Sequence, residues 1–284
     1  MSAGLLIADI GGSGSRWAWC ANDAAEPRYF DDLPGFNPAT GDGLALVQAL
    51  RASLIDEAGV RPAHIDVYGA GCGTVERAQR MRDALAGVWP EARIDVRTDL
   101  LGAARGLYGR SPGLVLILGT GMNVGYYDGA TLECPLPSMG FILGDEASGA
   151  DIGKHLLSDL FHGRIPVELA EQLFPTRPSL DEVVRRVYRE PGAQRYLAGF
   201  TARLDGALQE PYVRKLVLAR ATALAELIVP VFPEEQRRSV RATGSVAHAF
   251  QELMKEAFAA WNITLDRVER GPLPGLVRYH RSQP

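Results

Sequence analysis

Leu5-Leu6-Ile7-Ala8-Asp9-Ile10-Gly11-Gly12-Ser13-Gly14-Ser15-Arg16-Trp17-Ala18-Trp19 is an apolar run, a Gly/Ser turn and a second run that carries aromatics. The same pattern returns as Leu114-Val115-Leu116-Ile117-Leu118-Gly119-Thr120-Gly121-Met122-Asn123-Val124-Gly125-Tyr126-Tyr127-Asp128-Gly129. Each copy reads as a buried strand, a tight turn and a second strand. Glycine lets backbone amides crowd around an anion, and Ser or Thr hydroxyls add donors beside them. Either copy alone reads as a plain β-hairpin, because short glycine motifs match by chance. Two such turns in two halves of one chain suit the holding of a polyphosphate, and so point to a nucleotide-dependent phosphotransferase with a cleft. Gly11 to Gly14 runs into Trp17-Ala18-Trp19, another strand, and neither turn leads into an obvious helix start. That excludes the strand–loop–Lys-Ser/Thr nucleotide loop and the dinucleotide-binding glycine fingerprint.

The chain has 284 residues, room for two domains of ordinary size. Hydrophobic content of 46% and charged content of 23% are those of a globular protein with a sizeable core. The net charge is -4 and basic residues form no run, so neither nucleic acid nor an acidic membrane surface is an expected partner. No apolar stretch approaches the length of a membrane span. Met1-Ser2-Ala3-Gly4 lacks a basic segment, so no signal peptide is expected. Cys20, Cys72 and Cys134 are odd in number and widely spaced, without a Cys-x-x-Cys pair. They predict a reducing, cytoplasmic setting without disulfides, structural zinc or an iron–sulfur cluster. The five histidines, His64, His155, His162, His248 and His280, are scattered and read as surface or packing residues.

After the first hairpin a polar strand-like stretch, 27–30, precedes the loop Leu33-Pro34-Gly35-Phe36-Asn37-Pro38-Ala39-Thr40. Leu44, Leu46, Val47, Leu50 and Leu54 have helical spacing over 43–57. Residues 65–73 read as a strand running into glycine, 75–88 as a helix with Arg77, Arg80 and Arg82 on its wet side, 92–99 as a strand ending in Thr-Asp, and 100–108 as a helix. The order β-β-β-α-β-α-β-α predicts a mixed sheet with helices on its faces. The second hairpin restarts the pattern. Met139-Gly140-Phe141-Ile142-Leu143-Gly144-Asp145-Glu146-Ala147-Ser148-Gly149-Ala150 is expected to open a helix reaching Phe161. Residues 166–231 read as mainly helical, 239–247 as a strand that breaks at glycine, 250–261 as a helix and 263–268 as a last strand. Pro272 to His280 closes the chain.

The duplicated hairpins, Thr98-Asp99 at a strand end, the Gly-Asp-Glu-x-Ser-Gly stretch and the late Thr243-Gly244-Ser245-Val246 resemble the superfamily of actin, sugar kinases and heat-shock ATPases. Gly140-Phe141-Ile142-Leu143-Gly144-Asp145-Glu146 and Gly35-Phe36-Asn37-Pro38 are most similar to its N-acetylglucosamine kinase-like branch, grouped with the BadF/BadG/BcrA/BcrD ATPases. The resemblance spans nearly the whole chain. It implies an α/β protein of two ribonuclease-H-like lobes, each with a mixed five-stranded sheet and flanking helices, and an ATP cleft between them. The expected lobes are 1–108, with 271–284 packing back onto it, and 109–270. It further implies ATP and Mg²⁺ as cofactors and phosphorylation of an amino sugar, N-acetylglucosamine at the 6-hydroxyl. The expected assembly is a homodimer.

Site roles follow from the same resemblance. Asp9 would organise Mg²⁺ through water. Gly11, Gly12 and Ser13 would contact the phosphates, as would Gly119, Thr120 and Gly121, with Thr120 the β/γ-phosphate donor. Asp99 would be the catalytic base. Asn37, Asn123, Gly140 and Asp145 would hydrogen-bond the amino sugar, and Gly244 and Ser245 would meet the adenosine. Ser13-Gly14 stands where the family carries Thr then Lys or Arg, Met122 where Ser is common, and Ala147 where Gly is usual.

Each assignment has a plainer competitor. Asp99 suits a helix N-cap as well as a base. Asp145 and Glu146 could be first-turn acids that complement a helix dipole. Asn37 in Asn-Pro starts a turn unaided, although its carboxamide can both donate to and accept from a sugar. An isolated Asp9 after four apolar residues is costly unless it meets a cation or water. Trp17, Trp19 and Cys72 read as packing residues. Three function classes compete: a kinase of N-acetylglucosamine or a related sugar such as glucosamine or N-acetylmuramic acid, an ATPase that activates a partner enzyme, and a sugar-binding regulator. The cysteine spacing disfavours the second and the presence of Asp99 the third.

Overall fold

Strands β1 (Gly4–Ile10) and β2 (Gly14–Ala21) pair antiparallel, with Asp9 opposite Arg16 and Ile10 opposite Ser15. The structure, a computed structural model, describes residues 4–282 apart from 23 and 25. β3 (Arg28–Pro34) adds antiparallel to β2, with a register shift between Ser15 and Trp17. The predicted helix over 43–57 begins as α1 (Leu44–Leu50) and widens into a π-helical stretch, Arg51–Glu57. β4 (His64–Gly69), α2 (Val75–Ala86), β5 (Arg93–Thr98) and α3 (Asp99–Tyr108) follow, and β4 and β5 run parallel to β1. The arginines of α2 are more than a wet face: Arg80 donates to the carbonyls of Pro38 and Gly41, and Arg82 to that of Ile94.

β6 (Gly113–Leu118), β7 (Met122–Tyr127) and β8 (Leu132–Glu133) restart the pattern. The long helix expected from residue 139 is interrupted. A single turn, α4 (Gly140–Leu143), ends at Gly144, and α5 (Gly149–Phe161) starts afresh behind the cap Ser148. α6 (Val167–Leu173), α7 (Leu180–Tyr188), α8 (Ala193–Thr201) and α9 (Pro211–Ile228) make up the helical region. After α10 (Glu234–Arg237) and β9 (Val240–Thr243) the chain forms α11 (Ser245–Ala249) and α12 (Gln251–Ala259), where the sequence reading had one helix. β10 (Leu265–Glu269) precedes α13 (Leu273–Arg281), a helix the sequence reading lacked. Pro272 and Pro274 look like loop punctuation. They are tolerated because they sit at the cap and in the first turn, where no intrahelical N–H is needed.

The chain forms two compact units. The first takes the residues up to Pro112, Tyr127–Leu132 and the chain from Gly271; the second takes Gly113–Tyr126 and Glu133–Arg270. The sheet orders are β3-β2-β1-β4-β5 and β10-β9-β6-β7-β8. Read outward from β1 and β6 they are the same order, with hairpin partners on one side and parallel strands on the other. In the first unit Leu6, Ala8, Ile10 and Trp17 pack with Leu46, Leu50 and Leu54 and with Met81 and Leu85 of α2. On the opposite face of that sheet Ile7, Ala18 and Tyr68 meet Leu273, Leu276 and Val277 of α13. In the second unit Leu114, Leu116 and Leu118 pack with Leu156 and Leu160 of α5 and with Leu216, Ala221 and Leu224 of α9. Burying a side chain of the Leu or Ile type contributes about 1.5–3 kcal/mol. The apolar alternation of these strands therefore outweighs the cost of holding glycine-rich turns at their ends. No helix among the described residues is long and apolar enough to cross a membrane.

Candidate active site

In the first unit the turn after β1 is closed by Gly11 N–H donating to the Gly14 carbonyl at 2.9 Å. Phe36 N–H donates to the Gly11 carbonyl at 3.1 Å, so the loop carrying Asn37 is laid onto this turn. Asn37 Oδ1 accepts from Ala39 N–H at 2.9 Å, which gives Asn37 its turn-forming role in fact. The chain beyond β4 passes against the same carboxamide. Gly71 has φ +75, and a Cβ there would overlap Asn37 Oδ1, so glycine alone fits.

Asp9 sits one residue from the end of β1 and Asp99 directly after β5. The cap of α3 is Thr98, whose hydroxyl accepts from Leu101 N–H at 3.3 Å. That corrects the alternative in which Asp99 serves as the cap. Asp99 is the first residue inside the helix, and its Oδ1 accepts from Leu100 N–H at 2.9 Å. Burial raises Asp9 to about 7, the Asp99 carboxylate adds to the rise and Arg16 opposes it. Asp99 is raised by burial too, opposed by the Leu100 N–H. Burial and then Asp99 push the Cys72 thiol up to about 11, so Cys72 shares this site as a protonated, unreactive thiol. Two mutually repelling carboxylates in a partly buried setting suit a hard cation with oxygen ligands, and Mg²⁺ fits that donor set.

In the second unit the turn after β6 is closed by Gly119 N–H donating to the Gly121 carbonyl at 3.0 Å. The start of α5 docks on it: Gly149 N–H donates to Gly119 at 2.8 Å and Ala150 N–H to Thr120 at 3.1 Å. Gly244, at φ +120, lies so close to the Leu118 carbonyl that a Cβ would overlap it. The Gly244-Ser245 turn and the Gly119 to Gly121 turn are thereby brought together.

Asp145 is only 4% exposed and has φ +63, an uncommon conformation for a residue with a side chain. Its Oδ1 accepts from Met122 N–H at 3.3 Å and its Oδ2 from Gln194 Nε2 at 2.8 Å. Burial raises its pKa; the Met122 N–H and the Gln194 amide work against the rise. Asp145 and Asn123 line one pocket with Met122, Met139 and Glu146. Asn123 Oδ1 accepts from its neighbour Val124 N–H at 3.0 Å. Gly140, at φ +72, starts the α4 turn, and its carbonyl accepts from Gly144 N–H at 2.9 Å. The alternative in which Asp145 and Glu146 are first-turn acids does not hold. They precede the cap Ser148, and the acid in the first turn of α5 is Asp151. Burial tends to raise Asp151, but the His155 and Arg220 hydrogen bonds outweigh it and hold the group at about 2. Its Oδ2 takes Arg220 Nε at 2.7 Å and Ala147 N–H at 3.0 Å, which ties the loop to α9.

Three residues with evident local roles were missed in the sequence. Thr98 was visible as a potential cap but stood beside a more conspicuous carboxylate. Gly71 was visible only as part of a glycine-rich strand end. Gln194 carries no motif at all: it reaches Asp145 from a distant helix.

No family model and no curated protein matches the chain. Solved structures do. The putative N-acetylglucosamine kinase from Porphyromonas gingivalis is 31% identical, with 98% of this chain and 99% of that one covered and a TM-score of 0.88. A putative N-acetylglucosamine kinase from Chromobacterium violaceum, 21% identical with 98% and 99% covered, superposes with a TM-score of 0.73. A ROK family glucokinase from Streptomyces griseus, solved in complex with glucose and AMPPNP, is 17% identical with 98% of each chain covered and a TM-score of 0.63. These last two share the fold.

Proposed function

The chain belongs to the sugar-kinase family of the Porphyromonas gingivalis protein, and on that footing we propose that it phosphorylates an amino sugar with ATP, N-acetylglucosamine at its 6-hydroxyl being the best fit. The observation that carries the reading is 31% identity along 98% of the chain. The narrower placement in the N-acetylglucosamine kinase-like branch rests on the Gly-Phe-Asn-Pro and Gly-Phe-Ile-Leu-Gly-Asp-Glu stretches. Phosphoryl transfer needs positioning and offset charge more than covalent help from the protein. Bound Mg²⁺ would offset the charge of the phosphates. Asp9 would orient it through water, a role suited to a carboxylate whose burial and like-charged neighbour leave it in want of a cation.

Asp99 takes the proton of the attacking hydroxyl. Its carboxylate is held by Leu100 N–H, and burial raises its affinity for that proton toward the working range of a base. The turns Gly11-Gly12-Ser13 and Gly119-Thr120-Gly121 contact the phosphates, with Gly12, Ser13, Thr120 and Gly121 supplying the donors while the N–H groups of Gly11 and Gly119 close the turns, and Gly244 with Ser245 meets the adenosine. Asp145, Asn123, Gly140 and Asn37 read the sugar. Glucosamine and N-acetylmuramic acid are the alternative acceptors. A cytoplasmic homodimer belongs to the same proposal. The odd number and wide spacing of Cys20, Cys72 and Cys134 support the reducing compartment, and light scattering tests the dimer.

A coupled ATPase assay over a panel of hexoses and amino sugars tests the reading. The expected result is turnover on N-acetylglucosamine, with kcat of Asp99→Asn lowered by about 10²-fold or more. Because Thr98 caps the helix, this substitution leaves the cap in place. No turnover on any sugar, or near-parental turnover by the variant, overturns it.

A further inference from the structure

Strands β4 and β5 alternate in character. Ile65 and Val67, with Ile94 and Val96, face the apolar core of the first unit. On the other face stand His64, Asp66 and Tyr68, in register with Arg93, Asp95 and Arg97. Arg105 of α3 and Tyr279 and His280 of α13 complete a solvent-open pocket over this face. The pocket starts at the beginnings of β4 and β5, whereas Asp9 and Asp99 lie where β1 and β5 finish.

Most groups in the pocket are tied to one another. His64 Nε2 lies 2.9 Å and Arg93 Nη2 3.1 Å from Asp95 Oδ2. Arg97 pairs with Asp66, and His280 Nδ1 lies 3.3 Å from Asp66 Oδ2. Tyr68 Oη accepts from Arg105 Nη1 at 3.0 Å and lies 2.9 Å from His280 Nε2. The charges do not balance. Three arginines face two aspartates, so the pocket is positive even with both histidines neutral. Arg105 is the surplus cation. Among the described residues no carboxylate pairs with it and its buried Nε has no hydrogen-bond partner; its guanidinium lies over the rings of Tyr68 and Tyr279. A buried donor without a partner calls for a water or ion to satisfy it.

We propose that this pocket binds a small oxyanion of the phosphate type. Guanidinium groups match such an ion in charge and in hydrogen-bond geometry. A cation is the competing occupant, since ligand atoms of His64, Asp66 and Asp95 all lie within 4.8 Å of one another. Each of those carboxylates already holds an arginine, and a metal ion would add to a surplus of positive charge.

Calorimetric titration of the full chain with inorganic phosphate, at constant ionic strength, tests the site. One saturable site is expected, weakened about tenfold or more by Arg105→Met and by Arg93→Gln, each of which removes a charged hydrogen-bond donor. Arg93 is 75% exposed, so its substitution leaves the fold undisturbed. Stabilisation of both variants by ATP is expected to equal that of the parent, which separates this pocket from the phosphate turns. Absence of saturable phosphate binding overturns the proposal, as does undiminished binding in both variants. Tighter titration by zinc chloride that His64→Ala abolishes overturns it in favour of a cation site.

Discussion

Gln194 Nε2 donates a 2.8 Å hydrogen bond to Asp145 Oδ2 across 49 residues of sequence. The pair lies over the second glycine turn: a Cβ on Gly121 would stand 2.9 Å from that nitrogen and 3.0 Å from that oxygen. Gln194 therefore orients a buried carboxylate assigned to the sugar. Gln194→Ala is expected to raise KM for the sugar about tenfold, the effect of losing a hydrogen bond to a charged group, with a smaller change in kcat. Gln194→Glu, which sets a like charge against Asp145, is expected to do worse. A variant with lowered thermal stability but parental KM would show a packing role only.

Asp9 gives the ligand-free protein a signed pH dependence. Its folded pKa of about 7 stands above its ordinary 3.8, so the folded state favours the protonated form. The stability this contributes is full below about pH 4 and is lost as pH rises toward 7. At ~1.4 kcal/mol for each pKa unit, the loss has a ceiling of roughly 4 kcal/mol. Asp9→Asn should match the parent at pH 4 and exceed it by about 2 kcal/mol or more at pH 8 in denaturant unfolding. Parallel pH profiles for parent and variant would rule out a raised Asp9.

Ala147 holds φ +60 where the related motif has glycine. Relief of the left-handed strain is worth about 1–2 kcal/mol. Loss of a fully buried methyl costs about 0.8 kcal/mol, and glycine adds unfolded-state entropy of about 0.4–1 kcal/mol. These nearly cancel, so Ala147→Gly is expected within about 1 kcal/mol of the parent. Ala147→Val, branched at Cβ in the same conformation, is expected to lose more than about 2 kcal/mol. Equal stability of all three in urea would mean that the loop relaxes out of this conformation.

Gly71 and Asn37 should be coupled. Gly71→Ala must displace the Asn37 carboxamide, so sugar KM is expected to rise as in Asn37→Ala. The double variant is expected to be little worse than either single one, because neighbours that act through one group are not additive. Fully additive losses in kcat/KM would mean that Gly71 acts elsewhere.

The first unit was legible nearly element by element, since β-β-β-α-β-α-β-α is written in local patterns that the structure keeps. Where the reading failed, a local signal was overruled. Apolar spacing through residues 139–161 looked like one helix, but Asp145 and Ala147 take left-handed conformations that no helix contains, Ala147 held by Asp151 further along the segment and Asp145 by Gln194 from outside it. Pro272 and Pro274 looked like a loop, but Leu273, Leu276 and Val277 bury against the sheet and make a helix worth forming. The cap that competed with the base reading of Asp99 belongs to its neighbour Thr98.

What the sequence determined by itself is the duplicated hairpin-and-crossover order, because a strand's period and a turn's glycine are properties of a few adjacent residues. Only the tertiary structure decided which polar groups share a site. Asp9 meets Asp99, Asp145 meets Gln194, and His64 and Arg93 come to stand in one register because parallel pairing joins strands that are far apart in the chain. The electrostatic consequences follow from that assembly. A carboxylate in water titrates near 4 wherever it stands in a sequence; it takes burial and a neighbouring charge, both supplied by folding, to raise Asp9 to about 7.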